Sequence, residues 1–221
     1  MGESLVIENY IKVITTLRLN EKIDTIRSTD IATRLNISAA AVSDRLKKLK
    51  KKGLITSFGH QGIELTDKGL QMGKKMIRHH RLWETFLHQV LQVPLSDIHN
   101  EAEKLEHASS EKLINAIDAY LHYPKTDPHG NPIPDKAGEL SFKETDFPLS
   151  EAQFEKIYYV NRFVSMDADY LDYLSKLGVR LGTQLILEKK LNFDDSLLCR
   201  IKGKRHTLSQ KCASCIFVEQ V

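Results

Sequence analysis

Ser38-Ala39-Ala40-Ala41-Val42-Ser43-Asp44-Arg45-Leu46-Lys47-Lys48-Leu49-Lys50-Lys51-Lys52-Gly53 is followed at once by Leu54-Ile55-Thr56-Ser57-Phe58 and then Ile63-Glu64-Leu65-Thr66. Val42, Leu46 and Leu49 fall at i, i+4 and i+7, one face of a helix that turns every ~3.6 residues. Ser38 is placed to cap that helix and Gly53 to end it. The two β-rich runs flank Gly59-His60-Gln61-Gly62, a plausible hairpin turn. Upstream, Ser28-Thr29-Asp30 offers N-cap candidates for a short helix through Ile31-Ala32-Thr33-Arg34-Leu35, which Asn36 breaks. Leu5, Tyr10, Ile11, Ile14 and Leu17 give a first helix over 4–19 its apolar stripe. This order of elements is a winged helix-turn-helix, in which a short helix braces a second one that enters the major groove. Small side chains at Ser38, Ala39, Ala40, Ala41 and Ser43 allow close approach to base edges. Arg45, Lys47, Lys48, Lys50, Lys51 and Lys52 suit phosphates. A lysine-rich helix is often only a solvated face, but here it lies between a turn and a wing. Ser28, Thr29, Ser38, Ala39, Ala40, Ser43, Arg45 and Lys48 are therefore the candidate contacts to double-stranded DNA.

The 221 residues suggest two or three small modules, and a hydrophobic fraction of 41% supports a real core. The net charge of +3 says little, but its distribution says more. Residues 45–52 hold six cations and residues 74–81 four, whereas 97–111 is mainly acidic. A basic N-terminal part suggests a polyanion partner. No segment approaches the ~18 apolar residues of a membrane span. The N-terminus lacks the pattern of a secretory signal; Met1-Gly2 begins like a myristoylation site, but the first helix needs these residues. Three cysteines, all after residue 198, make no disulfide framework, so a reducing cytoplasm is expected.

A second stretch carries chemistry: His99-Asn100-Glu101-Ala102-Glu103-Lys104-Leu105-Glu106-His107. His99, Glu103, Glu106 and His107 share one helical face, and His80 and Glu84 repeat the i, i+4 spacing upstream. Two helices bearing imidazole and carboxylate on one face can enclose a divalent transition ion. The flanking pattern predicts helices over 67–91, 96–108 (opened by Ser96 and Asp97) and 111–121 (capped by Ser110). They carry more apolar surface than one layer buries, so a homodimer is expected. Residues 124–134 hold four of the six prolines, an irregular stiff loop. Strand-like runs at 154–160, 179–187 and 197–201 with a helix near 167–177 suggest a small barrel. The expected class is mainly α with a small β-barrel: a winged helix-turn-helix at 1–74, a helical metal-binding and dimerisation domain at 75–142, a linker at 143–151 and an SH3-like domain at 152–221.

Arg78-His79-His80-Arg81-Leu82-Trp83-Glu84, the 99–107 stretch and Asp127-Pro128-His129-Gly130-Asn131-Pro132-Ile133-Pro134 together resemble the diphtheria-toxin-repressor family of metal-dependent transcription regulators. The likeness covers essentially the whole chain and is closest to manganese and iron transport regulators with a C-terminal SH3-like domain. It implies a regulatory metal site of Glu103, Glu106 and His107, closed by Asn9. Members that answer to iron often have cysteine where Glu103 stands, and those that answer to manganese a carboxylate. Mn²⁺ is thus the expected corepressor, with Fe²⁺ as the alternative and one or two ions per subunit. The manganese members usually have Asp at the Asn9 position and often an acidic group at Lys12, which would not ligate. A second site is implied at His80, Glu84 and His99, or at Glu84 with Asp127, His129 and a barrel residue, Asp167 or Asp169. For Asp127 and His129 a loop-stabilising role weighs about equally. His79, His88 and His122 read as surface or capping residues.

The resemblance implies a repressor of metal-uptake genes acting on a palindromic operator. It implies no enzyme, no catalytic residue, no membrane and no small-molecule substrate. A metalloenzyme is the competing class, since a His/Glu site can activate water, but no His-Glu-x-x-His motif occurs. A third possibility makes the barrel a protein-binding module. Cys212-Ala213-Ser214-Cys215, with Cys199 and His206, would make a zinc site only weakly, being a lone C-x-x-C.

Overall fold

The computed structural model describes residues 3–59, 62–142, 145–165 and 167–220. The myristoylation-like Met1-Gly2 and the tip of the wing, His60-Gln61, lie outside them.

The N-terminal part is α1 (Glu3–Leu19), α2 (Ser28–Leu35), α3 (Ala39–Lys51), β1 (Ile55–Ser57) and β2 (Glu64–Leu65), the two strands antiparallel. Its core joins the stripe of α1 to Ile31 of α2, to Val42, Leu46 and Leu49 of α3, and to Leu54, Ile55 and Ile63 of the wing. Ser38 caps α3 as its type suggests, its hydroxyl accepting from the Ala41 amide. None of Ser28, Thr29 and Asp30 takes the N-cap position of α2. Arg27 does, and the Asp30 carboxylate reaches back to accept from its amide at 2.7 Å.

α4 (Asp67–Gln89) runs from the wing into the next unit, capped by Thr66. It crosses α1 closely at Gly73, where an added Cβ would fall inside the Thr15 side chain. α5 (Ile98–Leu105), a 3-10 turn (Glu106–Ala108) and α6 (Glu111–Tyr120) complete the helical unit. Helix 96–108 is thus shorter than its sequence suggests, opening at Ile98 and tightening after Leu105. The apolar residues of the helical unit pack in two small groups, Leu82 with Ile114, Ile117 and Ile133, and Leu87 with Ile98 and Ala102; Trp83 lies against both.

The C-terminal part holds β3 (Phe147–Pro148), β4 (Ile157–Phe163), α7 (Ala168–Lys176), β5 (Gln184–Lys190), β6 (Leu197–Ile201), β7 (Lys204–Leu208), α8 (Gln210–Ser214) and β8 (Ile216–Gln220). The sheet is antiparallel in the order β3-β8-β4-β5-β6-β7 around one apolar core. Residues 147–151, read as linker, contribute β3 and a 3-10 turn whose Leu149 is buried in that core. The Cys212–Cys215 segment lies on α8 and its cap, just before β8.

This sheet is tied to the rest through β4. The Arg162 guanidinium is buried over the Phe217 ring at 3.7 Å, donates to Asp146 at 2.6 Å and donates to the Asn20 carbonyl just beyond α1 at 3.0 Å. The Phe163 amide donates to the His129 carbonyl, and the Asn131 side chain donates to the Phe163 carbonyl. Gly130, at φ +87°, lets the proline-rich loop lie against Asn161 and Arg162, where a Cβ would meet the Asn161 carbonyl. The loop carrying Asp127 and His129 is thereby held between α4 and the sheet.

Candidate metal centre

Three elements meet around α4. Glu8, Asn9 and Lys12 come from α1, His79, His80, Arg81 and Glu84 from α4, and His99, Glu103, Glu106 and His107 from α5 and its 3-10 turn. The four ligands read on one face of the 99–107 stretch fall into two groups that share Glu103. Glu103, Glu106 and His107 present ligand atoms within 4.8 Å of one another, and so do His80, His99 and Glu103. Glu84, Asp127 and His129 form a third such group, all three buried.

In the first group Glu106 is buried and acts as a hub. Its Oε2 lies 2.5 Å from His80 Nδ1, and its Oε1 accepts from Lys12 Nζ at 2.7 Å. Lys12 also donates to Glu103. Burial would raise the Glu106 carboxyl, but the His80 charge and hydrogen bond, then Lys12, hold it down at about 2. His107 Nδ1 meets Glu8 Oε2 at 2.7 Å. The Asn9 side-chain oxygen and His107 Nε2 are buried without a hydrogen-bond partner among the described residues. A buried acceptor and an imidazole nitrogen left unpaired are expected where a ligand belongs. The two carboxylates and the imidazole of Glu103, Glu106 and His107 make a donor set that fits a divalent ion.

His80 Nε2 lies 3.0 Å from both Glu84 Oε1 and His99 Nδ1. Burial would lower the His80 imidazole, but Glu84 and Glu106 outweigh that and Lys12 together, raising it to about 9. Glu84 is held well below the usual carboxylate range: burial opposes this, but the His80 charge and hydrogen bonds from the histidines prevail.

In the third group His129 is completely buried, 3.7 Å from Glu84 Oε2, with neither ring nitrogen hydrogen-bonded among the described residues. Asp127 does organise its loop, Oδ1 accepting from the amides of His129 (2.8 Å) and Asn131 (2.9 Å). Its Oδ2 faces Arg81. No barrel residue joins the group among the described residues. Asp167 instead caps α7, accepting from the Tyr170 amide at 2.9 Å, and Asp169 falls in none of the three groups.

Four side chains have roles that sequence alone did not bring out. Glu8 contacts His107, and Lys12 bridges the two carboxylates of the first group. Their shared i, i+4 face on α1 was the available signal. His79 is buried rather than at the surface, with its ring nitrogens 3.2 Å from the Glu106 carbonyl and 3.1 Å from a Glu111 carboxylate oxygen. Arg81 is buried between Asp127 and the Pro132 carbonyl. His88 caps as expected, beside the Val93 carbonyl. Cys199, Cys212, Cys215 and His206 belong to no metal-sized group among the described residues.

Of the candidate DNA contacts, Ser38, Ala39 and Ala40 are exposed at the start of α3, Ser43 and Arg45 are half-buried, and Lys48 is exposed. Thr29 is exposed on α2 and Ser28 half-buried.

Three family models match in succession: the iron dependent repressor N-terminal DNA binding domain over residues 4–63, the iron dependent repressor metal binding and dimerisation domain over 66–135, and the FeoA domain over 147–220. A solved manganese-dependent transcriptional repressor in complex with manganese is 32% identical, covering 97% of this chain and 100% of its own, with a TM-score of 0.89. The chain belongs to the iron-dependent repressor family. It is a metal-dependent transcriptional repressor with a DNA-binding domain, a dimerisation domain and an SH3-like sheet. The structure of ScaR with bound Zn²⁺ is also 32% identical over 97% of the repressor, with a TM-score of 0.84. The iron-dependent repressor IdeR of Mycobacterium leprae is 28% identical over 97% of the repressor and 96% of its own length.

Proposed function

We propose that Mn²⁺ is the corepressor, that Asn9, Glu103, Glu106 and His107 hold the regulatory ion, and that the loaded homodimer binds a palindromic operator controlling metal-uptake genes. One observation carries the reading. Lys12 and Glu8 of α1, in the DNA-binding part, reach across to Glu103, Glu106 and His107 of the helical unit. A divalent ion held there would neutralise Glu103 and Glu106 and fix the angle between the winged domain and the dimer core. Asn9, on α1, and Glu106 and His107, on the 3-10 turn, are the residues that would transmit this. Metal and operator would then strengthen each other's binding reciprocally.

Oxygen and imidazole donors without a thiolate favour Mn²⁺ over softer alternatives. His80, Glu84 and His99 would hold a second ion, with Asp127 and His129 supporting Glu84 or ligating in their own right. The division at 1–74, 75–142, 143–151 and 152–221 is proposed as the functional one, with α4 as the rigid element spanning the first two parts. Leu91, Leu113, Tyr120 and Tyr123 are exposed on the helical unit and are the apolar surface a second copy would cover. Ser28, Thr29, Ser38, Ala39, Ala40, Ser43, Arg45 and Lys48 would meet the operator. Among the described residues no helix is long and apolar enough to cross a membrane, and operator binding places the repressor with the DNA in the cytoplasm.

Fe²⁺ sensing through the same residues is the second reading, favoured by the family's iron-responsive relatives. Operator binding followed by fluorescence anisotropy under anaerobic conditions separates the two. Half-saturation at lower free Mn²⁺ than free Fe²⁺ is expected, and the reverse order would assign iron.

A further inference from the structure

Lys12 is the one side chain of the first group that a metal site does not call for. It projects from α1, its side chain only 10% exposed, and its ammonium bridges Glu103 and Glu106. Among the described residues the other cationic partners of these two carboxylates are all histidines.

We propose that the Lys12 ammonium is a built-in counter-cation of the regulatory site, which ties α1 to the Glu103–Glu106 segment in the ion-free protein and competes with the divalent ion for those carboxylates. The inference rests on the metal reading above and goes beyond it. The geometry carries it in two ways. First, Lys12 joins the same two elements that a metal would join, so the ion-free protein already holds a weaker version of the contact. Second, the oxygen that a divalent ion would need at about 2.0–2.2 Å is already 2.7 Å from Nζ. Both cations cannot take it. Either the ammonium withdraws along its flexible four-carbon stem or it stays and repels the ion. Each route lowers metal affinity. The physiological consequence is a raised threshold: the repressor answers only when free metal is high enough to displace its own lysine.

The test uses the full chain with Lys12→Met, which keeps the stem and removes the charge, and Lys12→Gln, which keeps a donor and serves if the first variant does not fold. Mn²⁺ binding is measured by equilibrium dialysis and thermal melting in chelator. The expected result is first-site affinity about tenfold or more tighter, a lower melting temperature in chelator, and a larger rise on adding Mn²⁺. A lysine with a merely structural role would instead weaken Mn²⁺ binding when replaced. Unchanged or weaker affinity in the folded variants would overturn the inference. Glu106→Gln separates this from failure of the metal reading: if it binds Mn²⁺ as the wild type does, the site assignment fails first and the Lys12 inference falls with it.

Discussion

His80 Nδ1 lies 2.5 Å from Glu106 Oε2, while the other nitrogen of the same ring lies 3.0 Å from Glu84 and from His99. One imidazole therefore joins the group around Glu106 to the group around Glu84. A histidine that ligates with one nitrogen commonly hydrogen-bonds a carboxylate with the other, which fixes its ring and tautomer. Here that carboxylate is itself a proposed ligand of the neighbouring ion. Replacing His80 with Gln is expected to remove the second ion and to weaken the first by about 10–100-fold, the usual effect of losing an outer-shell partner. Glu84→Gln is expected to remove only the second. Ion counts by dialysis and elemental analysis distinguish them; identical effects of the two variants on the first ion would contradict the link.

Glu106→Gln removes the hub. Mn²⁺ affinity at the first site is expected to fall by more than the ~10–100-fold of an outer-shell change. Lys12 and His80 would also lose their shared counter-charge, so the ion-free protein should lose about 3–5 kcal/mol, the usual effect of breaking a buried pair. Urea unfolding in chelator measures this; unchanged stability would mean that the buried pair is not formed in solution.

Arg162 is expected to be a structural linchpin between the C-terminal sheet and the end of α1. Arg162→Met keeps apolar volume over Phe217 but removes the close partner of the buried Asp146 carboxylate, which keeps Lys22 at 3.4 Å, and the donor to the Asn20 carbonyl. A loss of about 3–5 kcal/mol is expected, with faster proteolysis near residues 20–27. Arg162→Met paired with Asp146→Asn should recover part of the loss. Equal stabilities of wild type and single variant would show the contact to be idle.

On the DNA side, Arg45→Ala is expected to weaken binding to specific and nonspecific duplexes alike. The slope of log affinity against log salt should become shallower by about 0.9 for each phosphate contact removed. A loss confined to one operator position would instead make Arg45 a base-reading residue.

The cysteines are expected to be inert at neutral pH. Burial, with the neighbouring Cys212 and Glu188, pushes the Cys199 thiol up to about 12, and burial with Cys215 pushes Cys212 up to about 11. Because the unfolded thiols ionise near their ordinary value, their contribution to stability is complete below that value. It falls as pH rises toward the folded values. Alkylation at pH 8 should be slow in the native protein and fast in denaturant. Rapid native labelling would show that the thiols are ionised or exposed.

Much of this was legible because it is local. Ser38 and Ser110 both cap the helices that their type and position suggested. The stripe Val42, Leu46, Leu49 is the buried face of α3. What escaped depends on contacts distant in sequence or on elements too short to show a period. Lys12 and Glu106 are 94 residues apart, and nothing near either residue announces the other. The change from α-helix to 3-10 turn after Leu105 leaves no composition signal. The two-residue strand β3 cannot show alternation, so it read as linker. The five-residue α8, shorter than two helical turns, was not read at all. Asp167, offered as a barrel ligand, caps the start of α7 and falls in none of the three groups.

The central claim is that ion binding at the Glu106 group favours the DNA-binding arrangement. The most direct test selects an operator from a random duplex pool with Mn²⁺ present and measures affinity for it by anisotropy, with chelator and with saturating Mn²⁺, for the wild type and Glu106→Gln. The expected result is strong enhancement by Mn²⁺ in the wild type and little or none in the variant. Equal wild-type affinity with chelator and with Mn²⁺ would contradict it.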